Sequence, residues 1–264
     1  MITFGIDIGS LSTKAVVLEN GSHILSSVIE LTGGDSIRAA QNVFQKALQK
    51  AHVSEGDINY SIATGYGRDS IPFADKSVTE ITCHAAGAYF FSPDTKTIID
   101  IGGQDSKGIK LNGSGKVMDF VMNDKCAAGT GRFLEVMANA LSVELAALGE
   151  LSGQSTRVTR ISSMCTVFAE SEIVSLIAEG CPKPDIIRGV HEAIAERGIA
   201  LLKRIKIEEP VIMTGGVAKN KGVISALQDK LNLTIHIPEE PQIAGALGAA
   251  VIAQRSVLPQ GLSA

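Results

Sequence analysis

The stretch FGIDIGSLSTKAVVL at Phe4 to Leu18 decides the fold, because it recurs as IDIGGQDSKGIKL at Ile99 to Leu111. At a constant offset of 93 positions, Asp7 aligns with Asp100. Each copy is typical of a β-hairpin in which an apolar strand ends at an aspartate, a glycine turn follows and a second strand returns. One copy alone is a weak signal, since aspartate is common at the start of turns. Two copies in register predict one nucleotide held by two related hairpins.

The residues of these hairpins suit phosphate and magnesium chemistry. Glycine lets backbone amides approach an anion closely, and hydroxyl and ammonium side chains add further donors. We expect Asp7 and Asp100 to bind a hydrated magnesium ion, for which carboxylates are suitable ligands. Neither hairpin is a Walker loop, and the chain has no GxGxxG motif. The predicted phosphate-binding residues are Gly9, Ser10, Ser12, Thr13, Lys14 and Ala15 in the first copy, and Gly102 and Gly103 in the second.

Two further segments complete the predicted nucleotide site. Gln104 follows the second glycine turn and is our candidate for positioning the attacking water, with Asp105 as its competitor. A glycine pair after a buried strand is often only a turn. Late in a chain with two phosphate hairpins, however, we expect such a pair to present bare backbone to adenine and ribose. The predicted residues of this adenosine segment are Gly215, Gly216 and Val217, together with Gln242.

The order of predicted elements is repeated along the chain. Each hairpin is followed by a third strand and then a helix, and apolar periodicity also predicts several later helices and strands. We therefore predict an α/β fold with a first domain over residues 1–95 and a second over 96–241. A final helix at about 242–254 is expected to pack back on the first domain. The other predicted elements are strands near 23–31, 60–64, 116–122, 211–214 and 233–237, and helices near 35–53, 130 onward, 169–179 and 184–205.

Composition limits the classes of function. The 264 residues are 45% hydrophobic and 20% charged, which is typical of an ordered soluble protein with room for two domains. A net charge of −4 offers no basic surface for nucleic acid. No run approaches the roughly 18 apolar residues that would cross a bilayer. The chain begins with a predicted strand rather than a signal segment. We expect a cytoplasmic protein with no membrane or nucleic-acid partner.

The hairpins and the adenosine segment resemble a known superfamily. DIGSLSTK, DIGGQDSK and MTGGVAKN are similar to the two phosphate segments and the adenosine segment of the actin, sugar kinase and Hsp70 ATPases. That resemblance implies two RNase H-like domains with ATP and magnesium in a cleft between them. Kinases, chaperones and filaments share this fold, so the superfamily leaves the function open.

A narrower resemblance lies in NDKCAAGTGRFLE at 123–135 and SSMCTVFAESEI at 162–173. Both are similar to the BadF/BadG/BcrA/BcrD-type ATPases, which activate 2-hydroxyacyl-CoA dehydratases or serve as ATP-binding subunits of benzoyl-CoA reductases. The resemblance covers roughly residues 2–254. Tyr66 and Arg68 in ATGYGR also match the family's pattern, although we interpret that segment as a turn.

The family resemblance implies an iron–sulfur cofactor. In that family two cysteines per subunit hold one oxygen-sensitive 4Fe-4S cluster at a homodimer interface, and the matching positions are Cys126 and Cys165. A 4Fe-4S cluster needs four thiolates, the chain has no CxxC spacing, and two thiolates per chain across a two-fold axis give four. Exposed amides at the helix start after Cys126 would suit an anionic cluster. Cys83 and Cys181 are expected to be small buried hydrophobes.

The resemblance implies an ATPase that drives electron transfer. Such a protein would take one electron from a ferredoxin or flavodoxin and pass it, with ATP turnover, to a separate iron–sulfur dehydratase or reductase-like protein. The main alternative is a small-molecule kinase of the sugar kinase type, although the chain has little room for a substrate domain. An actin-like filament or nucleotide-dependent scaffold is a third hypothesis. The histidines show no ligand spacing.

Overall fold

The chain divides into two compact units, each with its own hydrophobic core. The computed structural model describes residues 1–163 and 165–257. The first unit contains Met1–Thr95, Leu111–Met118 and the described residues from Pro238 onward. The second contains Lys96–Lys110 and Asp119–Ile237, as far as these residues are described.

The predicted second domain, residues 96–241, includes the segment Leu111–Met118. In the structure this segment groups with the first unit. The Tyr89 hydroxyl donates a hydrogen bond of 3.3 Å to the carbonyl of Gly113. The Tyr89 ring also lies directly against the backbone of Gly115, which adopts a left-handed conformation at φ 73°. These contacts hold the turn on the first unit.

The first sheet has the strand order β3-β2-β1-β4-β5. Strands β1, β2 and β3 pair antiparallel, whereas β4 pairs parallel with both β1 and β5. In the first hairpin Asp7 pairs directly with Lys14. The strands are β1 Ile2–Ile8, β2 Ser12–Glu19, β3 His23–Leu31, β4 Ile58–Thr64 and β5 Lys76–Ser77.

The second sheet has the order β10-β9-β6-β7-β8 and repeats the arrangement of the first. Strands β6 and β7 pair antiparallel with Asp100 opposite Lys107. Strand β9 pairs parallel with β6, so that Thr214 lies opposite Asp100. The strands are β6 Thr97–Ile101, β7 Ser106–Leu111, β8 Val117–Asn123, β9 Val211–Thr214 and β10 Ile235–His236.

Helices cover these sheets with their apolar residues. In the first helix the buried residues, which include Ala40, Phe44 and Ala47, form one face, and the Asp35 side chain caps the start by accepting from the Arg38 amide at 3.0 Å. The helices are α1 Ser36–Ala51, α2 Glu80–Phe91, α3 Gly131–Leu141, α4 Leu148–Ser152, α5 Thr166–Ala178, α6 Lys183–Leu202, α7 Lys221–Leu231 and α8 Ala244–Val257.

Helix α8 packs against β1 and α2 through small residues. The backbones of α2 and α8 meet at Gly87 and Gly248, where an added Cβ would overlap the carbonyl oxygens of Ala244 and Cys83 respectively. Glycine at both positions therefore permits a close helix crossing. No helix in residues 1–163 and 165–257 is both long enough and apolar enough to cross a bilayer.

Candidate functional site

The first hairpin places its aspartate at the end of the buried strand β1. Asp7 is 5% exposed, and its Oδ2 lies 3.2 Å from Nζ of Lys14. The backbone of Gly65 touches Oδ1, since an added Cβ would overlap that atom. A Cβ on Gly245 would lie 3.1 Å from Oδ2. A side chain at position 65 would displace the carboxylate from this position, and one at position 245 would crowd it.

Two of the predicted phosphate-binding residues face the protein interior instead. The Thr13 hydroxyl is fully buried and lies 2.9 Å from the hydroxyl of Thr32. Thr32 in turn donates to the carbonyl of Gly9 at 2.7 Å, so this pair of threonines ties the glycine turn to the end of β3. Ala15 lies in the core of the first unit. The side chains of Thr13 and Ala15 thus stabilise the hairpin.

The remaining predicted residues of the first turn lie at the surface. The Gly9 amide donates to the carbonyl of Ser12 at 3.1 Å, which closes the turn. Ser10 is exposed, whereas Gly9 and Ser12 are half-buried. The side-chain donors that this hairpin can offer to a phosphate are therefore the hydroxyls of Ser10 and Ser12 and the ammonium of Lys14.

The second hairpin holds its aspartate in a denser ionic network. Asp100 is 1% exposed, and its Oδ2 lies 3.2 Å from Nζ of Lys107. The Thr214 hydroxyl donates to Oδ1 at 2.8 Å. Lys107 also pairs with Asp105, so that one buried ammonium bridges two carboxylates. The sequence could have indicated Thr214, because it ends the strand that pairs with β6.

The two candidates for positioning water differ in their surroundings. The Gly102 amide donates to the carbonyl of Asp105 at 2.9 Å and closes this turn as Gly9 closes the first. Gln104 is exposed at the tip, and Gly103 beside it is half-buried. The side chain of Asp105 is 26% exposed and engaged by Lys107. Gln104 is thus oriented to solvent, whereas Asp105 belongs to the ionic network.

The predicted adenosine segment begins at the end of β9. Gly215 has φ 86°, and its backbone lies against the carbonyl of Ile101, so any side chain there would be strained. Gly216 is exposed, whereas Val217 is buried in the core of the second unit. Gln242 belongs to the first unit. Its backbone amide donates to the Glu240 carboxylate at 3.1 Å, and the residue is half-buried.

The segment containing Tyr66 and Arg68 forms a turn beside the first hairpin. The Gly67 amide donates to the carbonyl of Ile8 at 3.0 Å, and Nη1 of Arg68 donates to the carbonyl of Gly65 at 3.2 Å. Tyr66 is 89% exposed. The turn therefore attaches to the strand that carries Asp7.

Both predicted cluster ligands are exposed free cysteines of the second unit. Cys126 lies in the loop before α3, where Asn123 brackets it through bonds of 2.8 Å and 3.3 Å to its carbonyl and amide. Cys165 is the residue that caps the start of α5. No group of three or more histidine, cysteine, aspartate or glutamate side chains that could hold a metal occurs among the described residues. Two accessible thiols could supply two of the four thiolates that a 4Fe-4S cluster needs.

The other two cysteines have different environments. Cys83 is fully buried in α2, and burial raises the pKa of its thiol to about 12. Such a thiol stays protonated and is a poor metal ligand. Cys181 is half-buried against the core of the second unit.

The start of α3 is bonded to the second hairpin. The amide of Gly131 donates to the carbonyl of Gly102 at 2.8 Å, and the amide of Arg132 donates to the carbonyl of Gly103 at 2.8 Å. The expectation that the first amides of this helix are exposed and face an anionic cluster is wrong for these two amides, because carbonyls of the second hairpin turn already accept from them. The same bonds connect that turn directly to the helix that follows Cys126.

A residue that the sequence did not single out lies close to both cysteine segments. Arg197 of α6 donates from Nη2 to the carbonyl of Ser163 at 2.7 Å, and its guanidinium lies 4.6 Å from the centre of the Phe133 ring. Burial lowers the pKa of Arg197, and the nearby Cys126 thiolate acts in the opposite direction. The sequence gives no indication of these contacts, because Arg197 is one of several charged residues in a long helix.

Comparisons with known proteins match nearly the whole chain. A model of the BadF/BadG/BcrA/BcrD ATPase family matches residues 4–253. The activator of lactoyl-CoA dehydratase from Anaerotignum propionicum is 48% identical over 96% of this chain and 97% of its own length. The crystal structure of component A of the (R)-2-hydroxyglutaryl-CoA dehydratase from Acidaminococcus fermentans has a TM-score of 0.94 and 45% identity, and covers 97% of this chain and 98% of that one.

A second solved structure carries a nucleotide analogue. The activator of the 2-hydroxyisocaproyl-CoA dehydratase from Clostridium difficile, with bound ADPNP, has a TM-score of 0.93 and 45% identity over 97% of this chain and 95% of its own. These structures confirm the predicted α/β fold of the actin-like ATPase type. The family match confirms the prediction that the protein is an ATPase. The chain belongs to the BadF/BadG/BcrA/BcrD ATPase family.

Proposed function

We propose that this ATPase is an activator that donates single low-potential electrons to a separate acyl-CoA dehydratase or reductase-like iron–sulfur protein. The names of the relatives support the activator role. The observation that carries the proposal is the pair of hydrogen bonds from α3 to Gly102 and Gly103, because it connects a phosphate turn to a cysteine segment within one unit.

ATP binding is assigned to the two aspartate hairpins and the glycine pair after β9. Ser10, Ser12 and Lys14 would donate to phosphate oxygens, and Asp7 and Asp100 would bind magnesium through its waters. Gly102 and Gly103 would offer backbone to the terminal phosphate, while Gly215, Gly216 and Val217 would border the nucleoside with Gln242.

Gln104 is the better candidate for orienting the attacking water. Its side chain is exposed at the tip of the second turn, and its amide group can both donate and accept a hydrogen bond. The carboxylate of Asp105 is already engaged by the ammonium of Lys107. We therefore assign Asp105 to the ionic network that holds Asp100 and Lys107 in place.

The coupling step follows from the bonds at the start of α3. A displacement of the Gly102 and Gly103 carbonyls when the terminal phosphate is bound or lost would draw the Gly131 and Arg132 amides with it. Because Cys126 lies five residues before Gly131, its loop would follow the helix. Hydrolysis would in this way reposition one thiolate of each subunit.

The thiolates of Cys126 and Cys165 would hold the cluster together with the same pair from a second copy of the chain. When bound, the 4Fe-4S group would supply one-electron transfer, with a ferredoxin or flavodoxin as the donor. The helix that starts at Cys165 supports a homodimer interface there, since Val167 and Phe168 next to that cysteine are 65% and 68% exposed. Large exposed apolar residues beside a ligand favour burial against a partner. The cytoplasm is the reducing compartment that this chemistry needs.

Iron content tests the proposal. Protein purified without oxygen should contain about four iron atoms per dimer. Cys126→Ser and Cys165→Ser should each lose this iron, whereas Cys181→Ala, whose thiol packs against the core, should retain it. A colourless dimer with full ATPase activity, prepared under the same conditions, would refute the cluster.

A further inference from the structure

The side chain of Arg197 joins the two cysteine segments from a third element. Its Cβ would lie 3.2 Å from a Cβ added to Gly129, so the aliphatic stem packs on the loop that follows Cys126. Gly129 has φ 90°, a conformation that favours glycine, and this lets the loop lie flat on the arginine.

The guanidinium continues this contact into α3 and across to the second segment. Its centre lies 4.6 Å from the ring of Phe133, a fully buried residue near the start of α3. Its Nη2 donates a 2.7 Å hydrogen bond to the carbonyl of Ser163, two residues before Cys165. A planar guanidinium can stack on a ring and donate at its edge at the same time, which a lysine ammonium cannot do.

The charge of this residue is placed between the two cysteine segments. The Arg197 stem packs on Gly129, three residues after Cys126, and its guanidinium bonds to the carbonyl of Ser163, two residues before Cys165. Arginine stays protonated in proteins, so its positive charge is permanent. A permanent cation near an iron–sulfur group stabilises the form with the extra electron and raises the reduction potential.

We propose that Arg197 is a positioning residue of the cluster site, which fixes the two cysteine segments relative to each other and favours uptake of the incoming electron. The proposal rests on the cluster assigned above to Cys126 and Cys165. Its functional meaning is that the activator can be reduced by an ordinary electron carrier before ATP turnover. The electron comes from the ferredoxin or flavodoxin and adds to the oxidised cluster without breaking a covalent bond.

Two substitutions separate the contacts of Arg197 from its charge. Arg197→Met keeps an unbranched stem over Gly129 but removes the guanidinium, whereas Arg197→Lys keeps the charge and loses the planar group. Arg188→Met is the matched control, because Arg188 lies on the same helix, is exposed and contacts only Ser155 at 3.3 Å among the hydrogen bonds of the described residues.

The first measurement is the reduction potential of each anaerobic dimer by EPR-monitored titration. At a fixed potential, Arg197→Met should lower the ratio of reduced to oxidised cluster by tenfold or more, which corresponds to a negative shift of about 59 mV for one electron. Arg197→Lys should restore most of this ratio, and Arg188→Met should match the wild type. An unchanged potential in Arg197→Met would overturn the electrostatic role.

The second measurement is hydrogen exchange in the iron-free protein, which does not depend on the cluster. Residues 123–130 and 159–163 should exchange faster in Arg197→Met than in Arg188→Met. Equal exchange would overturn the positioning role. A wild-type protein that binds no iron would refute the proposed function and the electrostatic role together, and the exchange result would still decide whether Arg197 joins the two segments.

Discussion

At the level of one residue, the ammonium of Lys107 ties together the two carboxylates of the second hairpin. Its side chain is 3% exposed and contacts both Asp100 and Asp105. Lys107→Met removes the ammonium from a carboxylate that is itself almost fully buried. Breaking a buried ion pair in this way costs about 3–5 kcal/mol, because one charge stays in a poorly solvated position. We expect a loss of unfolding free energy of this size in urea denaturation at neutral pH.

Lys110→Met is the matched control on the same strand. Lys110 pairs with Glu208 at 2.9 Å, and both side chains are partly exposed. A pair in contact with solvent contributes about 0–1 kcal/mol. Equal losses in the two variants would mean that the ammonium of Lys107 does not balance the Asp100 carboxylate.

The buried ring of His191 should make the free energy of unfolding depend on pH. It is 1% exposed, neither ring nitrogen has a hydrogen-bond partner within the described part of the chain, and burial lowers its pKa to about 4. The unfolded chain, with an ordinary histidine pKa of about 6.5, therefore binds the proton more tightly than the folded chain. The stabilising contribution is present above about pH 6.5 and is lost as the pH falls toward 4. Between pH 7 and pH 5 the loss should be about 2 kcal/mol.

His191→Leu tests this dependence, because leucine cannot titrate. In urea denaturation, the free energy of unfolding of the variant should fall by about 2 kcal/mol less than that of the wild type between pH 7 and pH 5. His236→Gln, at an exposed position, should follow the wild type. If the slopes of His191→Leu and wild type coincide, the ring is protonated in the folded protein or is not the group that titrates.

Sequence alone could have predicted one side-chain placement at this scale and could not have predicted another. Side chains alternate along a strand, so Thr13 shares a face with Ala15 and Val17, both core residues of the first unit. That alternation was available and places the hydroxyl of Thr13 inward. Arg197 had no comparable signal, because its contacts with Phe133 and Ser163 depend on how α6 packs against two distant segments.

At the scale of elements, both ends of the amphipathic helix α1 were predicted to within two residues, whereas the sequence analysis did not predict α2. Helix α2, EITCHAAGAYFF, is apolar on several sides because it is buried from Cys83 to Ala88 and packs against α8. A helix without a polar face has no 3.6-residue pattern to detect. Tertiary packing therefore determines this element, and local sequence does not reveal it.

Gly87→Ala tests the close crossing of α2 and α8. The added methyl group would overlap the carbonyl of Ala244, so the helices must separate. Overpacking of this kind costs about 1–3 kcal/mol and outweighs the better helix propensity of alanine. Thermal unfolding should show a lower midpoint for Gly87→Ala. Gly113→Ala, at a glycine with no atom within 4 Å of the added Cβ, should leave the midpoint almost unchanged.

At the scale of the whole molecule, the duplication of the hairpins explains most of what could be predicted. The pairing of Asp7 with Lys14 and of Asp100 with Lys107 repeats one register in two sheets, so one internal repeat predicts both. The difference between the copies depends on residues far along the chain. Among the hydrogen bonds of residues 1–163 and 165–257, the second turn accepts two from a following helix and the first accepts none, because α3 begins against Gly102 and Gly103. No sequence period signals those contacts, which distinguish the two halves.

Gly131→Pro tests whether this connection couples the nucleotide to electron transfer. Proline removes the amide that donates to the carbonyl of Gly102, and its ring displaces that carbonyl, although proline itself is tolerated at the first position of a helix. We expect slower ATP hydrolysis, because the displaced carbonyl belongs to the second turn, so the comparison is made on protein saturated with nucleotide. Exchange of ADP for ADPNP, which should shift the reduction potential of the wild-type protein, should leave that of the variant unchanged. Ser36→Pro, at the first position of α1, controls for proline itself and should retain the nucleotide-dependent shift. If Gly131→Pro also retains the shift, the coupling route lies elsewhere, because the bond between the second turn and α3 is then dispensable.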